Sequence, residues 1–219
     1  GKGPFSGVGA QVMGPDDGYL LHYSPSVSEF WGDRNDLALG AVFQPRNSSN
    51  NNKSRNSSTV GSLMVSQQQF DNTVAYGFQA SANWHQGSIT ARETGLASGI
   101  QNLKSTVKDC KWAFSVDPIV GWGDVGGRQR STAGWLAAVP VLFEPHWQVL
   151  MAHGLASGWI EWGGERYNFK DAAAYAEKNW GGGFPSKWCW VQCNTFEGSE
   201  GTSVTAVGAR RGLLNIPGV

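Results

Sequence analysis

Between Tyr175 and Asn194 the chain reads YAEKNWGGGFPSKWCWVQCN, and here residue types and spacing could do chemistry. A lone carboxylate, Glu177, precedes Trp180, Trp188 and Trp190. Lys187 to Phe196 alternates as a strand does, which places Trp188, Trp190, Gln192 and Asn194 on one face and Cys189, Val191 and Cys193 on the other. Two tryptophans and two amides on one face suit the wall of a cavity with an apolar floor and a polar rim. Proton transfer to a ligand held against aromatic faces is the chemistry such a set could perform. The competing reading of Glu177 is a strand-end carboxylate paired with Lys178 or Lys187, and that of the tryptophans is simple core packing. Elsewhere, His85 follows Trp84, and an ordinary imidazole half-titrates at about pH 6.5, so it could accept a proton. Asp33, in Trp31-Gly32-Asp33-Arg34, is either functional or a local partner of Arg34. Asp124 lies among glycines, where an aspartate often bonds its own backbone in a turn. His146, beside Glu144 and Pro145, suits a structural hydrogen bond.

These residues must be positioned by strands. Gly181, Gly182 and Gly183 permit positive φ, and Pro185 imposes an extended chain after them. The opening residues predict strands at Val8–Met13, Tyr19–Tyr23 and Leu37–Phe43, with Pro15-Asp16-Asp17-Gly18 as a hairpin turn. Residues 44–62 are Asn/Ser-rich, basic and aperiodic, and are expected to form a flexible loop. Three Asn-x-Ser sequons there, at Asn47, Asn52 and Asn56, matter only in a secreted protein. Phe70, Val74 and Phe78 recur every four residues and predict one short helix. Further strands are expected at Lys108–Val116, closed by Asp117-Pro118, and at Ala133–Leu142, Trp147–His153, Gly158–Trp162 and Glu165–Lys170. Gly163-Gly164 joins the last two as a two-residue hairpin turn. Counting outward from it puts Glu161 opposite Arg166, as a cross-strand ion pair rather than a catalytic acid.

Composition narrows the class. The chain has 219 residues, with 17 basic and 17 acidic side chains, and no basic stripe suggests nucleic acid. Eleven tryptophans and 30 glycines, against 16% charged residues, fit an all-β protein with tight turns and an aromatic interior. No apolar run approaches the roughly 18 residues of a membrane span. The chain starts at Gly1 rather than Met and is expected to be a piece of a longer protein that has lost any leader. Cys189 and Cys193, on one strand, would sit roughly 13 Å apart at the usual rise, too far for a disulfide. All three cysteines, Cys110 included, are expected to be reduced, buried filling, as suits an intracellular or organellar compartment. His22, His85, His146 and His153 lack metal-site spacing, so no metal is expected. Neither a phosphate-binding loop nor a Gly-x-Ser-x-Gly elbow is present.

Several strings together resemble tocopherol cyclases: FWGDR (30–34), GFQA (77–80), WHQG (84–87), GWGDVG (121–126), STAGW (131–135), FEPHWQ (143–148) and SGWIEWGGER (157–166). The resemblance runs from about Gly7 to Gly212 and covers the N-terminal half of that family. The chain departs from it in the Asn/Ser-rich insert and at Cys189. The resemblance implies a lipocalin-like antiparallel barrel or sandwich over residues 1–212, with 213–219 opening a linker or second domain. It also implies a plastid protein, associated peripherally with lipid bodies or membranes.

The implied reaction closes a phytyl-substituted benzoquinol to a chromanol by adding a phenol oxygen across the prenyl double bond. It needs neither redox cofactor nor metal. An acid must protonate a trisubstituted alkene, and a dry cavity must hold the tertiary cation. Burial beside aromatics keeps a carboxylic acid protonated near neutral pH. A desolvated tryptophan face stabilises a cation by about 2 kcal/mol. A more distant resemblance, to lipocalin-like carotenoid hydratases, matches Glu177-Lys178-Asn179-Trp180-Gly181 and Trp188-Cys189-Trp190, with Glu where those proteins carry Asp. It singles out Glu177 as the acid. His85 would be the base, Asp33 and Asp124 lesser candidates, and Trp84, Trp180, Trp188, Trp190, Gln192 and Asn194 the substrate contacts. The rival readings are a non-catalytic prenyl-lipid or carotenoid carrier, which needs no enclosed carboxylate, and a sugar-binding sandwich with open tryptophan platforms.

Overall fold

The computed structural model describes residues 7–33, 37–46, 64–93, 104–124, 128–135, 146–181 and 185–210. These form antiparallel sheets with one α-helix, as composition and alternation predict. The chain divides into two units, Gly1–Val116 with Ser157–Lys170, and Asp117–Ala156 with Asp171–Val219.

In the first unit, β1 (Val8–Met13) and β2 (Tyr19–Ser24) form a hairpin with Met13 opposite Tyr19. Its turn is the Pro15–Gly18 segment foreseen from sequence. The Gly18 amide donates to the Pro15 carbonyl at 2.9 Å, and Asp16 and Asp17 take φ of 54° and 55°. Short acidic side chains tolerate that region better than most. A Cβ on Gly14 would come within 2.5 Å of the Trp162 ring, so the turn can close onto this tryptophan only through glycine. β2 is buried on both faces. Leu20 joins a core with Val8, Ala41, Phe43, Ile89, Cys110 and Trp162, while Leu21 and Tyr23 form a second cluster. Burying side chains of this size contributes about 1.5–3 kcal/mol each.

A seven-stranded sheet follows the order β3 (Phe30–Gly32), β4 (Ala38–Pro45), β5 (Val74–Ser81), β6 (Trp84–Thr90), β7 (Asp109–Val120), β8 (His146–Trp162) and β9 (Glu165–Trp180). In the second unit, β10 (Lys187–Cys193) and β11 (Val204–Arg210) pair as a two-stranded ribbon. Among the described residues the sheets stay open, and none closes into a barrel.

Several expectations are corrected. The helix α1 spans Gln67–Thr73 with Phe70 buried and Ser66 as its cap, but Val74 and Phe78 belong to β5. Residues four apart share a face in strands as well as helices, so that spacing could not separate the two. β7 does not stop at Asp117-Pro118 but carries Pro118 within it and runs to Val120. The two strands expected at 147–153 and 158–162 are one continuous β8, and β9 extends past Lys170 to Trp180. Ala133, expected to open a strand, lies in a turn, and residues 136–142 are outside the described residues. Of the loop expected at 44–62, Gln44 and Pro45 belong to β4, and the part from residue 47 falls outside the described residues, as do residues 213–219. The three cysteines are free, but Cys189 is exposed rather than buried.

The Gly163-Gly164 turn is as read. Both glycines have positive φ, 59° and 90°, and Arg166 pairs with Glu161 at 3.2 Å while its guanidinium lies 4.0 Å over the Trp159 ring.

Candidate functional site

Glu177 lies within β9, half-buried, and its neighbours come from three strands of the second unit. Its Oε2 accepts three hydrogen bonds: from Tyr175 Oη at 2.7 Å, Trp147 Nε1 at 2.8 Å and Trp190 Nε1 at 3.2 Å. Oε1 accepts one, from Asn179 Nδ2 at 3.2 Å. Alternation explains the β9 members, since Tyr175, Glu177 and Asn179 share a face at period two. β10 supplies Trp190 from the face that also carries Gln192. Among the described residues no cation pairs with Glu177, so the expected alternative partners Lys178 and Lys187 do not claim it. Lys178 instead sits 5.7 Å from the Trp180 ring. Burial is the main cause that pushes the Tyr175 phenol well above its ordinary range, so Tyr175 is a protonated donor at neutral pH.

Aromatic rings extend the cluster. Trp147 meets Trp122 at 5.9 Å, Tyr175 meets Trp190 at 6.0 Å, and His146 stacks on Trp180 at 5.4 Å. His146 thus makes a ring contact where a structural hydrogen bond was expected. The tryptophan faces are open: Trp190 is 41% exposed, Trp180 46% and Trp188 61%. Gln192, directly opposite Thr205 on β11, has a buried Nε2 with no partner among the described residues. Asn194 Nδ2 donates to the Ala174 carbonyl at 2.8 Å. Asn194 also borders an open cleft of about 660 Å³ with Ile119, His153, Leu155, Ala173 and Phe196. Glu177 is not among its lining residues, although Leu155 and Ala173 continue the alternation that presents Trp147 and Tyr175.

The structure therefore brings Trp190 to Glu177 and sets Gln192 on the same face of β10, with Asn194 one residue beyond the strand's end. Asp33, Trp84 and His85 belong to the first unit. The Asp33 amide donates to the Ala38 carbonyl at 2.7 Å where β3 turns into β4. Trp84 Nε1 donates to Gln86 Oε1 at 3.4 Å. His85 stacks on Phe114 at 5.0 Å, and burial lowers its pKa. Asp124 is exposed, beyond the Trp122-Gly123 turn in which Gly123 has φ 56°. Sequence reasoning missed Trp147, Tyr175 and Asn179 as partners of Glu177. Period two along β9 could have found Tyr175 and Asn179. Trp147 had no such signal, because strict counting from the Gly163-Gly164 turn places Leu150 opposite Glu177. The pleat of β9 is interrupted at Asp171, a non-glycine residue at φ 54°, and a break of that kind shifts simple register counts.

Comparison with known proteins gives this cluster its setting. Residues 1–218 match the family described as tocopherol cyclase-like. A probable chloroplastic tocopherol cyclase of Oryza sativa subsp. japonica is 47% identical over 208 residues, covering 94% of this chain and 41% of the relative. A chloroplastic tocopherol cyclase of Zea mays is 48% identical over 208 residues, covering 94% of this chain and 40% of the relative. The chain thus spans about two fifths of the length of the curated relatives it matches. No solved structure matches it. A match over nearly every residue places this chain in the tocopherol cyclase-like family.

Proposed function

We propose that this chain is the N-terminal, lipocalin-like β part (residues 1–212) of a tocopherol cyclase that extends beyond residue 219. The protein closes a phytyl-substituted benzoquinol to a chromanol. Glu177 protonates the prenyl double bond, and Trp180, Trp188 and Trp190 face the tertiary cation that results. Gln192 and Asn194 lie on the substrate side of β10. The observation that carries this reading is the carboxyl group of Glu177, held by Trp147, Tyr175 and Trp190 with no cation beside it among the described residues. A carrier has no use for such a group, whereas alkene protonation requires one. Support for the aromatic surroundings comes from the Trp122–Trp147 and Tyr175–Trp190 contacts. The nearby cleft of about 660 Å³ falls within the roughly 300–1,000 Å³ of small-molecule sites, and its apolar members suit part of a prenyl tail. The chloroplastic relatives support a plastid setting, and a substrate this apolar supports peripheral association with lipid bodies or membranes. Incubating the full-length protein with a phytylbenzoquinol, without added redox cofactor, should give the chromanol. Recovery of unchanged quinol bound to the protein would favour the carrier.

A further inference from the structure

The reaction needs a proton delivered and a proton removed, and His85, the base expected from sequence, stacks on Phe114. The Glu177 cluster offers another solution. Oε2 accepts from three donors, while among the described residues Oε1 accepts only from the Asn179 amide, which leaves it a lone pair to carry a transferable proton. Of the three donors on Oε2, two are indole N–H groups, which can give a hydrogen bond but not relay a proton. Only the Tyr175 hydroxyl can do both, since a hydroxyl accepts as well as donates and this one donates to Oε2 at 2.7 Å.

We infer that Tyr175 is a catalytic residue, which takes the phenol proton of the quinol on its Oη while passing its own proton to Oε2 of Glu177. This rests on the cyclase reading above and deepens it. The balance closes within one carboxyl group. The alkene π pair takes the proton from Oε1 and leaves a tertiary cation. The phenol oxygen bonds to that cation, its O–H bond breaks towards Tyr175 Oη, and the tyrosine O–H bond breaks towards Oε2. Glu177 ends protonated on Oε2 and Tyr175 ends with a hydroxyl; exchange with solvent then returns the carboxyl proton to Oε1, so nothing is consumed and no separate base is required. The high pKa of Tyr175 agrees, because a tyrosinate is never formed and the hydroxyl exchanges one proton for another.

The test uses full-length protein in D2O and reads two outputs, chromanol formation and deuterium in the recovered prenyl chain. In Tyr175→Phe the alkene is still protonated but the phenol proton has no exit. Turnover for cyclisation should fall about 100-fold with KM within about twofold, and recovered substrate or its double-bond isomer should gain deuterium. Trp147→Phe removes a donor from the same oxygen without cutting the relay, so any loss should leave the ratio of deuterium uptake to cyclisation as in wild type. Should the phenylalanine variant fail to fold, difluorotyrosine at position 175 keeps the hydroxyl but acidifies it, and should alter the solvent isotope effect on cyclisation. Cyclisation by Tyr175→Phe within about threefold of wild type would overturn the relay. So would parallel loss of both outputs in a folded variant, which marks a positioning residue, or an unchanged isotope effect with difluorotyrosine. A wild-type protein that neither cyclises the quinol nor labels it would instead sink the cyclase reading on which the relay stands.

Discussion

Two polar clusters in this chain are built from similar parts and end in opposite conditions. In the first unit Gln79 and Gln86, each only 2% exposed, form a closed chain. Gln79 Nε2 donates to Gln86 Oε1 at 3.1 Å and to the Val65 carbonyl at 3.0 Å, while its Oε1 accepts from the Val65 amide. Gln86 Nε2 donates to Asp71 Oδ1 at 2.8 Å and to the Gln67 carbonyl. Every amide atom has a partner within the protein, and the helix α1 is tied to β5 and β6 by them. In the second unit Glu177 gathers three donors on one oxygen, leaves the other lightly engaged, and is bordered by open indole faces and the partnerless amide of Gln192. A satisfied network fixes a fold, because nothing in it gains from a ligand. An unevenly filled one keeps capacity for a substrate. The difference separates scaffold from chemistry more clearly than the identity of the residues does.

The largest expected effect falls on the second cluster. Glu177→Gln keeps the shape but not the transferable proton, so chromanol formation should drop by about 10³-fold, with the melting temperature nearly unchanged. Near wild-type turnover in that variant would break the contrast outright. In the first cluster, Gln86→Leu should cost about 1–2 kcal/mol of stability, measured by urea unfolding, because the buried Gln79 amide loses a partner while the exposed Asp71 turns to water. A neutral outcome would show that network to be incidental.

A smaller effect concerns pH. His22 gives its Nδ1 proton to the Thr90 carbonyl at 2.7 Å, stacks on Phe43 and keeps a buried, partnerless Nε2. Burial is the main cause that lowers its pKa. The unfolded chain then binds the proton more readily, so the stability gained from a neutral His22 is complete above about pH 6.5 and is lost as pH falls below it. Unfolding curves from pH 7.5 to 5 should show this decline, and His22→Gln should flatten it. The smallest effect belongs to the exposed pair at the hairpin. Arg166→Ala should cost less than about 1 kcal/mol, since a surface ion pair and one cation–π contact are each worth a fraction of that.

What the sequence revealed depended on how local the determinant was. The β1–β2 hairpin and the Gly163-Gly164 turn, with its Glu161–Arg166 pair, are set by residues adjacent along the chain, and alternation with turn chemistry sufficed. Phe70, Val74 and Phe78 misled because helix and strand both bring every fourth residue to one face. At the candidate site, Trp190 was reachable through the alternation of β10, and Tyr175 through that of β9. Trp147 was not, because its meeting with Glu177 depends on pairing past Asp171, where positive φ breaks the pleat. The exposure of Cys189 likewise reflects the ribbon of β10 and β11, which alternation alone cannot assign to an inside and an outside.

The division between the units passes through the interior of three strands, at Val116/Asp117 in β7, Ala156/Ser157 in β8 and Lys170/Asp171 in β9. Neither unit is therefore a contiguous stretch of gene. No single exon exchange or domain fusion could transplant the Glu177 cluster without cutting strands that also belong to the first unit. Recombination between related genes would preserve scaffold and site together only when its crossovers fall outside residues 109–210, because Trp190 of β10 also belongs to the cluster and β10 pairs with β11.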